Sequence, residues 1–445
     1  MIRCFYLELL LRFRRSRAAA EAASVAGSKY VAPALSEAQK QQPTLRGVNV
    51  PCQADYCAKG QTIPPTKRSS TLYPKEQPPV GEELPYDLTS PARRHSGFMH
   101  FGRAPKESAV EGPEEDEAWL HRVRCLREGA EVHRQADRGN GGECFECLGF
   151  DPKHPLKRSF AFPTGLSLNE VAAHDTVNPG DAPRWLLPTD LAKLDFGVQV
   201  EGHILDCAFS FSFSPLHDEL LQAVKDATNE GIRHAGPDAL VAEVGLLIQE
   251  VMESAEVHRP DGQVLPIYAI KNLTGHSIAP YRIHAGKSLP SCHFGGSVRM
   301  LAGELWAVET FGSAGGVGFV CSAGPTSHFM RGSTEPPSTM QSRILSSNAK
   351  AMLDLIDRRF STLAFCPRWV VQEAARSKPS FFRSTGGARD AQQWWSSPLE
   401  ELCNVGLVTK YSPLADVQGC HTAQYEHTVL LRGSGKEVLT RGTDF

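Results

Sequence analysis

The run LDFGVQVEGHILDCAFSFSF, Leu194 to Phe213, limits what this chain can fold into more than any other stretch. Leu194, Phe196, Val198 and Val200 alternate with other residues, as do Phe209, Phe211 and Phe213 further on, the period-two pattern of strands. Two strands meet at a turn near Glu201-Gly202. Folding there brings Asp195 and Asp206 within one residue of directly opposite positions, where Cβ atoms lie only about 5 Å apart. Two carboxylates that close, embedded in an apolar run, repel and raise each other's pKa unless something positive lies between them. A divalent cation meets that need. The competing reading is that both aspartates cap the turn or face solvent on an edge hairpin.

Residues far along the chain weigh against the competing reading. NLTGHSIAPYRIHAG supplies His276 and His284, GELWAVETFG sets Glu309 inside an apolar strand, and TAQYEHTVLLR sets Glu426 in another. Singly, each is ordinary, since a strand glutamate usually faces water and a lone histidine is usually structural. Together, two Asp, two Glu and one imidazole carry more negative charge than one dication neutralises in a partly buried site, and two dications balance it. Bridging carboxylates hold such ions about 3.5 to 4 Å apart, where they share a water and polarise a carbonyl. Oxygen-rich ligation with one histidine suits Mn, Fe, Co or Zn and does not choose among them.

With 47 basic against 50 acidic side chains in 445 residues, the chain has no global field to draw it to DNA or an anionic membrane, and neither is expected as a partner. The 12 cysteines follow no disulfide-framework spacing, so free thiols in a reducing, intracellular compartment are expected. Cys52 with Cys57, and Cys144 with Cys147, are isolated pairs and read as thiols rather than metal modules. Met1 to Lys29 joins a short apolar run to clustered arginines. It is too short to span a bilayer, and Glu8 and Glu21 make organelle targeting the lesser alternative to a cytoplasmic location.

From about 31 to 113, Pro, Gly, Ser and charge dominate. That composition cannot repay the entropy of ordering, so residues 1–115 are expected to be a largely disordered extension. Order is expected from Asp116, where Trp119, Val123, Leu126, Ala130 and His133 fall at helical spacing. From Phe160, short β-prone runs alternate with helices at DELLQAVKDATNEGIRHAG and ALVAEVGLLIQEVMESAE, an α+β pattern. Between Gly332 and Ser397 one helix is expected around AKAMLDLIDRRF, while QEAARSKPSFFRSTGGARDAQQWWSSP reads as loop or disorder. Strand character returns at GLVTKYSPL and TAQYEHTVLLR.

Six segments, FPTGLSLNEVAAH, LDFGVQVEGHILDCAF, NLTGHSIAPYRIHAGKSLP, AVETFGSAGG, TLAFCPRW and TAQYEHTVLLR, resemble type 2 methionine aminopeptidases, and the resemblance runs from about Asp116 to Phe445. It implies a pita-bread catalytic domain over 116–445, an α+β fold in which two pseudo-related halves of antiparallel sheet flank a dinuclear site. A helical insertion at about 330–410 is implied as well. The resemblance assigns Asp195, Asp206, His276, Glu309 and Glu426 as ligands of two divalent metal ions, Co, Zn, Mn or Fe, with Asp206 and Glu426 bridging. It makes Glu309 a proton shuttle, and makes His174 and His284 the residues that bind substrate and stabilise the tetrahedral intermediate or orient the scissile amide. His174 matches the residue that fumagillin-type epoxides alkylate in the family. Phe162, Ile283, His328, Ala364 and Tyr411 align with the family's methionine pocket.

The implied activity is removal of the initiator methionine from nascent proteins with small second residues. The implied enzyme is a cytoplasmic monomer whose partners are nascent polypeptide N-termini and the ribosome. Four features depart from the family pattern: a short stretch over 136–161 without the family's second helix, Thr274 where the family has Asn, no basic and acidic tracts like those typical of the family's N-terminus, and a long, polar Gln372 to Pro398. These keep open a catalytically silent pita-bread protein that binds ribosome or RNA. A third reading is a related peptidase acting on X-Pro bonds.

Overall fold

At the turn between the two aspartate-bearing strands, Glu201 and Gly202 both take positive φ, 50° and 85°. This is the backbone of the two-residue hairpin turn whose twist matches its strands. It joins β4 (Leu191–Val200) to β5 (His203–Ser212). Asp195 pairs with Ala208, and Gly197 with Asp206. The aspartates are therefore two residues out of register rather than one, and the difference has a consequence. A one-residue offset would turn them to opposite faces, whereas two residues leave them diagonal neighbours on the same face.

The structure is a computed structural model that describes residues 46, 81–87, 89–93, 125, 153–182, 184, 186–333, 335, 345–377 and 388–441, with 377 and 388–394 described by backbone alone. Met1 to Lys29, the cysteine pairs at 52/57 and 144/147, and the helix expected from Asp116 lie outside those residues, apart from a helical Cys125.

The hairpin extends into a sheet of order β2-β4-β5-β16-β10-β7-β6, with β2 Arg158–Leu168, β16 His421–Leu431, β10 Leu305–Ala314, β7 Val264–Ala269 and β6 Glu256–His258. Neighbouring strands are antiparallel. β8 (Thr274–Ile278) lies between β10 and β9 (Ser288–Pro290). One face of the sheet presents Leu194, Phe196, Phe209, Phe211, Val308 and Tyr425 to α1 (Asp218–His234) and α2 (Val241–Glu253), burying Leu220, Val224, Val244 and Ile248 against them. Helix α1 opens on Asp218 and Glu219 and closes on Arg233 and His234, charges that complement its dipole. The other face carries the site.

Over that face lies a second, smaller unit. Its sheet has the order β13-β12-β14, with β12 His328–Arg331, β13 Ala364–Phe365 and β14 Val408–Tyr411. Helices α3 (Ser347–Arg359), α4 (Pro367–Ser377) and α5 (Ala388–Asn404) accompany it. Helix α3 stands where the apolar periodicity predicts it. The polar run after it, expected to be loop, is largely α4 and α5. Val370 with Ala374, and Leu399 with Leu402, sit at helical spacing and close a core of their own with Met352, Ile356 and Phe365. Three helices sharing one small core need few apolar residues each.

Part of the N-terminal extension packs against the main sheet and α1. β1 (Glu82–Leu84) pairs with β17 (Lys436–Val438), and Ala92 is fully buried in the main core. Lacking a core of its own, this segment borrows one: the Gly81 amide donates to the buried Glu437 carboxylate, and Ser90 bonds His234 of α1 at 2.7 Å.

Candidate active site

Strand register builds the site. Glu309 faces Glu426 across β10 and β16, Glu426 faces Ala208 on β5, Ala208 faces Asp195 on β4, and Asp195 faces Gly165 on β2. Asp206 is two residues from Ala208, and His276 pairs with Ala307, two residues from Glu309. The period-two rule therefore turns all five side chains to one face. His276 Nε2 lies 3.5 Å from an Asp206 oxygen and 3.6 Å from a Glu309 oxygen. One ligand atom each from Asp206, His276 and Glu426 falls within 4.8 Å of the others.

These carboxyls converge without a countercharge. Burial pushes the Asp195 carboxyl up to about 7. Burial first, and neighbouring carboxylates second, push Asp206, Glu309 and Glu426 well above the ordinary range. Asp195 Oδ1, Asp206 Oδ1 and Glu426 Oε1 are buried with no hydrogen-bond partner, and among the described residues no lysine or arginine lines the cavity they face. Acceptor-only oxygens grouped around one imidazole fit divalent metal. Burial, and after it His284, lowers His276 to about 3, so its ring is neutral and free to ligate.

All twelve residues singled out from the sequence line one cavity of about 220 Å³. Asp195, Asp206, His276, Glu309 and Glu426 form its floor. Phe162 comes from β2, and Ile283 and His284 from the loop after β8. The smaller unit supplies the opposite wall: His328 pairs with Tyr411, and Met330 with Ala364. The Tyr411 ring stands 5.7 Å from His174 and 5.8 Å from His284, and His284 meets His276 edge-on at 4.6 Å. A Cβ on Gly197 would sit 2.3 Å from the Phe162 ring, so glycine is what lets that ring lie against the strand.

His328 differs in kind from the other three histidines of the cavity. Its Nε2 lies 3.1 Å from the Pro163 carbonyl, which can only accept, and its Nδ1 lies 3.0 Å from Ser327 Oγ. Burial lowers its pKa, so the ring is neutral with its proton on Nε2. Both nitrogens are engaged, and His328 offers the cavity only its carbon edges.

Sequence reasoning missed Gln424, whose Nε2 donates to Glu309 at 3.2 Å and reaches Asp195 at 3.5 Å. Alternation was the available signal, since Gln424 stands two residues before Glu426 on the same face. Asn272, Leu273, Thr274 and Phe311 also line the cavity.

The comparisons agree with this geometry. A model of metallopeptidase family M24 matches residues 117–329. Methionine aminopeptidase 2 of Puccinia graminis f. sp. tritici is 37% identical over 441 residues, 96% of this chain and 90% of that protein. Methionine aminopeptidase 2 of Malassezia globosa is 40% identical over 405 residues, 86% of this chain and 83% of that protein. Among solved structures, a thermophilic Arx1 superposes with a TM-score of 0.55 at 14% identity, covering 72% of this chain and 90% of that one; this likeness bears on fold alone.

Fold and site together define an α+β metallopeptidase of pita-bread architecture that uses divalent metal. Within family M24 the chain belongs to the type 2 methionine aminopeptidases. No helix among the described residues is long and apolar enough to cross a membrane.

Proposed function

We propose that the chain hydrolyses the first peptide bond of polypeptides that begin with methionine and have a small second residue. The observation that carries this reading is the convergence of four unneutralised carboxyls, three buried and that of Asp195 half-buried, and a neutral imidazole on the floor of one cavity. Two divalent ions, Co, Zn, Mn or Fe, held by Asp195, Asp206, His276, Glu309 and Glu426 with Asp206 and Glu426 shared, would supply charge balance, a hold on the free α-amine, and activated water. That need for a free amine restricts cleavage to the terminal residue.

The chain's own groups do the rest. Glu309 takes the proton from water and returns it to the leaving amine, a transfer suited to a carboxyl whose pKa is raised. His174, lowered to about 3 by burial and then by His328 and His284, is a neutral hydrogen-bonding group; with His284 it orients the scissile amide. Phe162, Ile283, Tyr411, Ala364 and the carbon edge of His328 enclose the methionine side chain and exclude water. The substrates are nascent polypeptides, met in the cytoplasm by a monomeric enzyme at the ribosome. A catalytically silent relative is not favoured, since the ligand set is complete.

The test is release of methionine from Met-Ala-Ser by the purified protein, metal-free and reconstituted with Mn²⁺ or Co²⁺, with bound metal counted. Metal-dependent release is expected. Metal bound without release would overturn the proposal. For His174→Ala we expect full metal content, turnover down by about a hundredfold or more, and loss of labelling by a fumagillin-type epoxide. Labelling that persisted at another residue would remove His174 from this role.

A further inference from the structure

His174 holds a backbone φ of 64°, a left-handed region that residues with a Cβ rarely adopt unless the surroundings enforce it. What enforces it is a set of side chains gripping residues 174 to 176 from two parts of the fold. From β2, Ser167 Oγ receives the Asp175 amide at 3.4 Å, and Arg184, in the loop before β4, clasps the Asp175 carboxylate through both terminal nitrogens. From the smaller unit, the fully buried Ser327 just before β12 donates to the His174 carbonyl at 3.2 Å and accepts the Thr176 amide at 3.2 Å. Arg368, at the start of α4, donates to Thr176 Oγ1 at 2.9 Å.

Both Ser327 contacts fall just after the Cα of the strained residue, one on its own carbonyl, whose direction ψ sets, and one on the Thr176 amide a peptide further on, so they hold the peptide plane against which the imidazole is oriented. Thr176 Oγ1 then ties the same turn to a helix of the insertion. Ser327 Oγ also lies 3.0 Å from His328 Nδ1, so its single proton is shared between that nitrogen and the His174 carbonyl, which couples the turn to the cavity wall. Neither Ser327 nor Arg368 lines the cavity, so any effect they have on turnover is transmitted through the turn.

We propose that Ser327, just before β12, and Arg368, in the helical insertion, are positioning residues through which the smaller unit aims His174 at the scissile amide. This rests on the role of His174 given above. The smaller unit is then a working part of the reaction as well as a wall of the methionine pocket.

The test compares kcat, KM and bound metal for Arg368→Ala, Arg368→Lys, Thr176→Val and Ser327→Ala, each in the otherwise native chain and in the His174→Ala background. In the native background, Arg368→Ala and Ser327→Ala are expected to lower kcat by about tenfold, as loss of outer-shell support does, at unchanged KM and metal content. Arg368→Lys, whose ammonium can still donate to Thr176, should recover most of the loss. Thr176→Val should reproduce Arg368→Ala and add nothing to it. In the His174→Ala background all of these effects should vanish. Losses that persist there undiminished, or that appear in KM or metal content, would overturn the proposal. Wild-type turnover by His174→Ala alone would instead overturn the role of His174. If Ser327→Ala does not fold, the variants of the half-buried Arg368 decide the question.

Discussion

Asp206→Asn is expected to cut methionine release by more than about a thousandfold, about 4 kcal/mol at 1.36 kcal/mol per decade, while making the metal-free protein harder to melt. Both effects come from one carboxylate. Asp206 is the diagonal neighbour of Asp195 on the hairpin, lies 3.5 Å from His276, and is grouped with Glu426. With an amide there, the floor loses a shared negative charge and metal is held poorly or not at all. Without metal the same charge is a liability, because burial and then Asp195 hold its carboxyl well above the ordinary range, which means that ionising it costs the folded state stability. An isosteric amide removes that cost. Glu426→Gln should behave alike, since burial and then Asp206 and Glu309 raise its carboxyl in turn. The measurements are kcat/KM on Met-Ala-Ser with metal counted, and melting in chelator at pH 8. Wild-type turnover with full metal, or a variant that melts lower than the parent in chelator, would contradict this account of the site.

How much of this could be read from the residues depended on how far apart the deciding contacts lie. The hairpin was legible because its alternation and its turn are local, and the ligand set because carboxylates inside apolar strands are costly unless something uses them. Register was not legible to better than one residue. Whether the Glu201-Gly202 turn uses two residues or three is decided by backbone φ values, and that choice moves Asp206 across the pleat. Helices α4 and α5 are not legible in the run 372–398 because it carries few apolar residues, and the burial of Ala374 there, like that of Val370, Leu399 and Leu402 at its flanks, depends on α3 and β13 arriving from elsewhere. The order at 81–93 was missed for the same reason: its partners, β17 and α1, lie far along the chain. Gln424 needed no such contact, and the alternation rule applied to TAQYEHT would have found it.

Metal should stabilise this protein more strongly as pH rises from 6 to 8.5, and the protons released in that range should come from carboxyls. The raised carboxyls bind protons in the folded state that the unfolded chain has already released. Metal-free stability therefore falls as pH climbs from 3.8 to about 7 for Asp195, and as it climbs above the ordinary values of 3.8 for Asp206 and 4.5 for Glu309 and Glu426, whose carboxyls are held well above them. The histidines act with the opposite sign: His174 and His276 fall from 6.5 to about 3 on folding, so their contribution grows as pH rises through that interval and is complete above it. Lys193, lowered by burial from 10.5 to about 7, adds stability with rising pH above 7, yet it is present with and without metal and cancels in the difference. What remains above 6.5 is the carboxyl floor, which a bound cation keeps ionised, with each proton it displaces worth up to about 1.4 kcal/mol per pH unit. Denaturant titrations with and without Mn²⁺ at matched free concentration would measure the slope, and calorimetry in buffers of different ionisation enthalpy would count the protons. Growth confined to pH below 6.5 would assign the released protons to His276 and show that the carboxyls were already ionised, removing the electrostatic argument for metal on which the site's assignment stands.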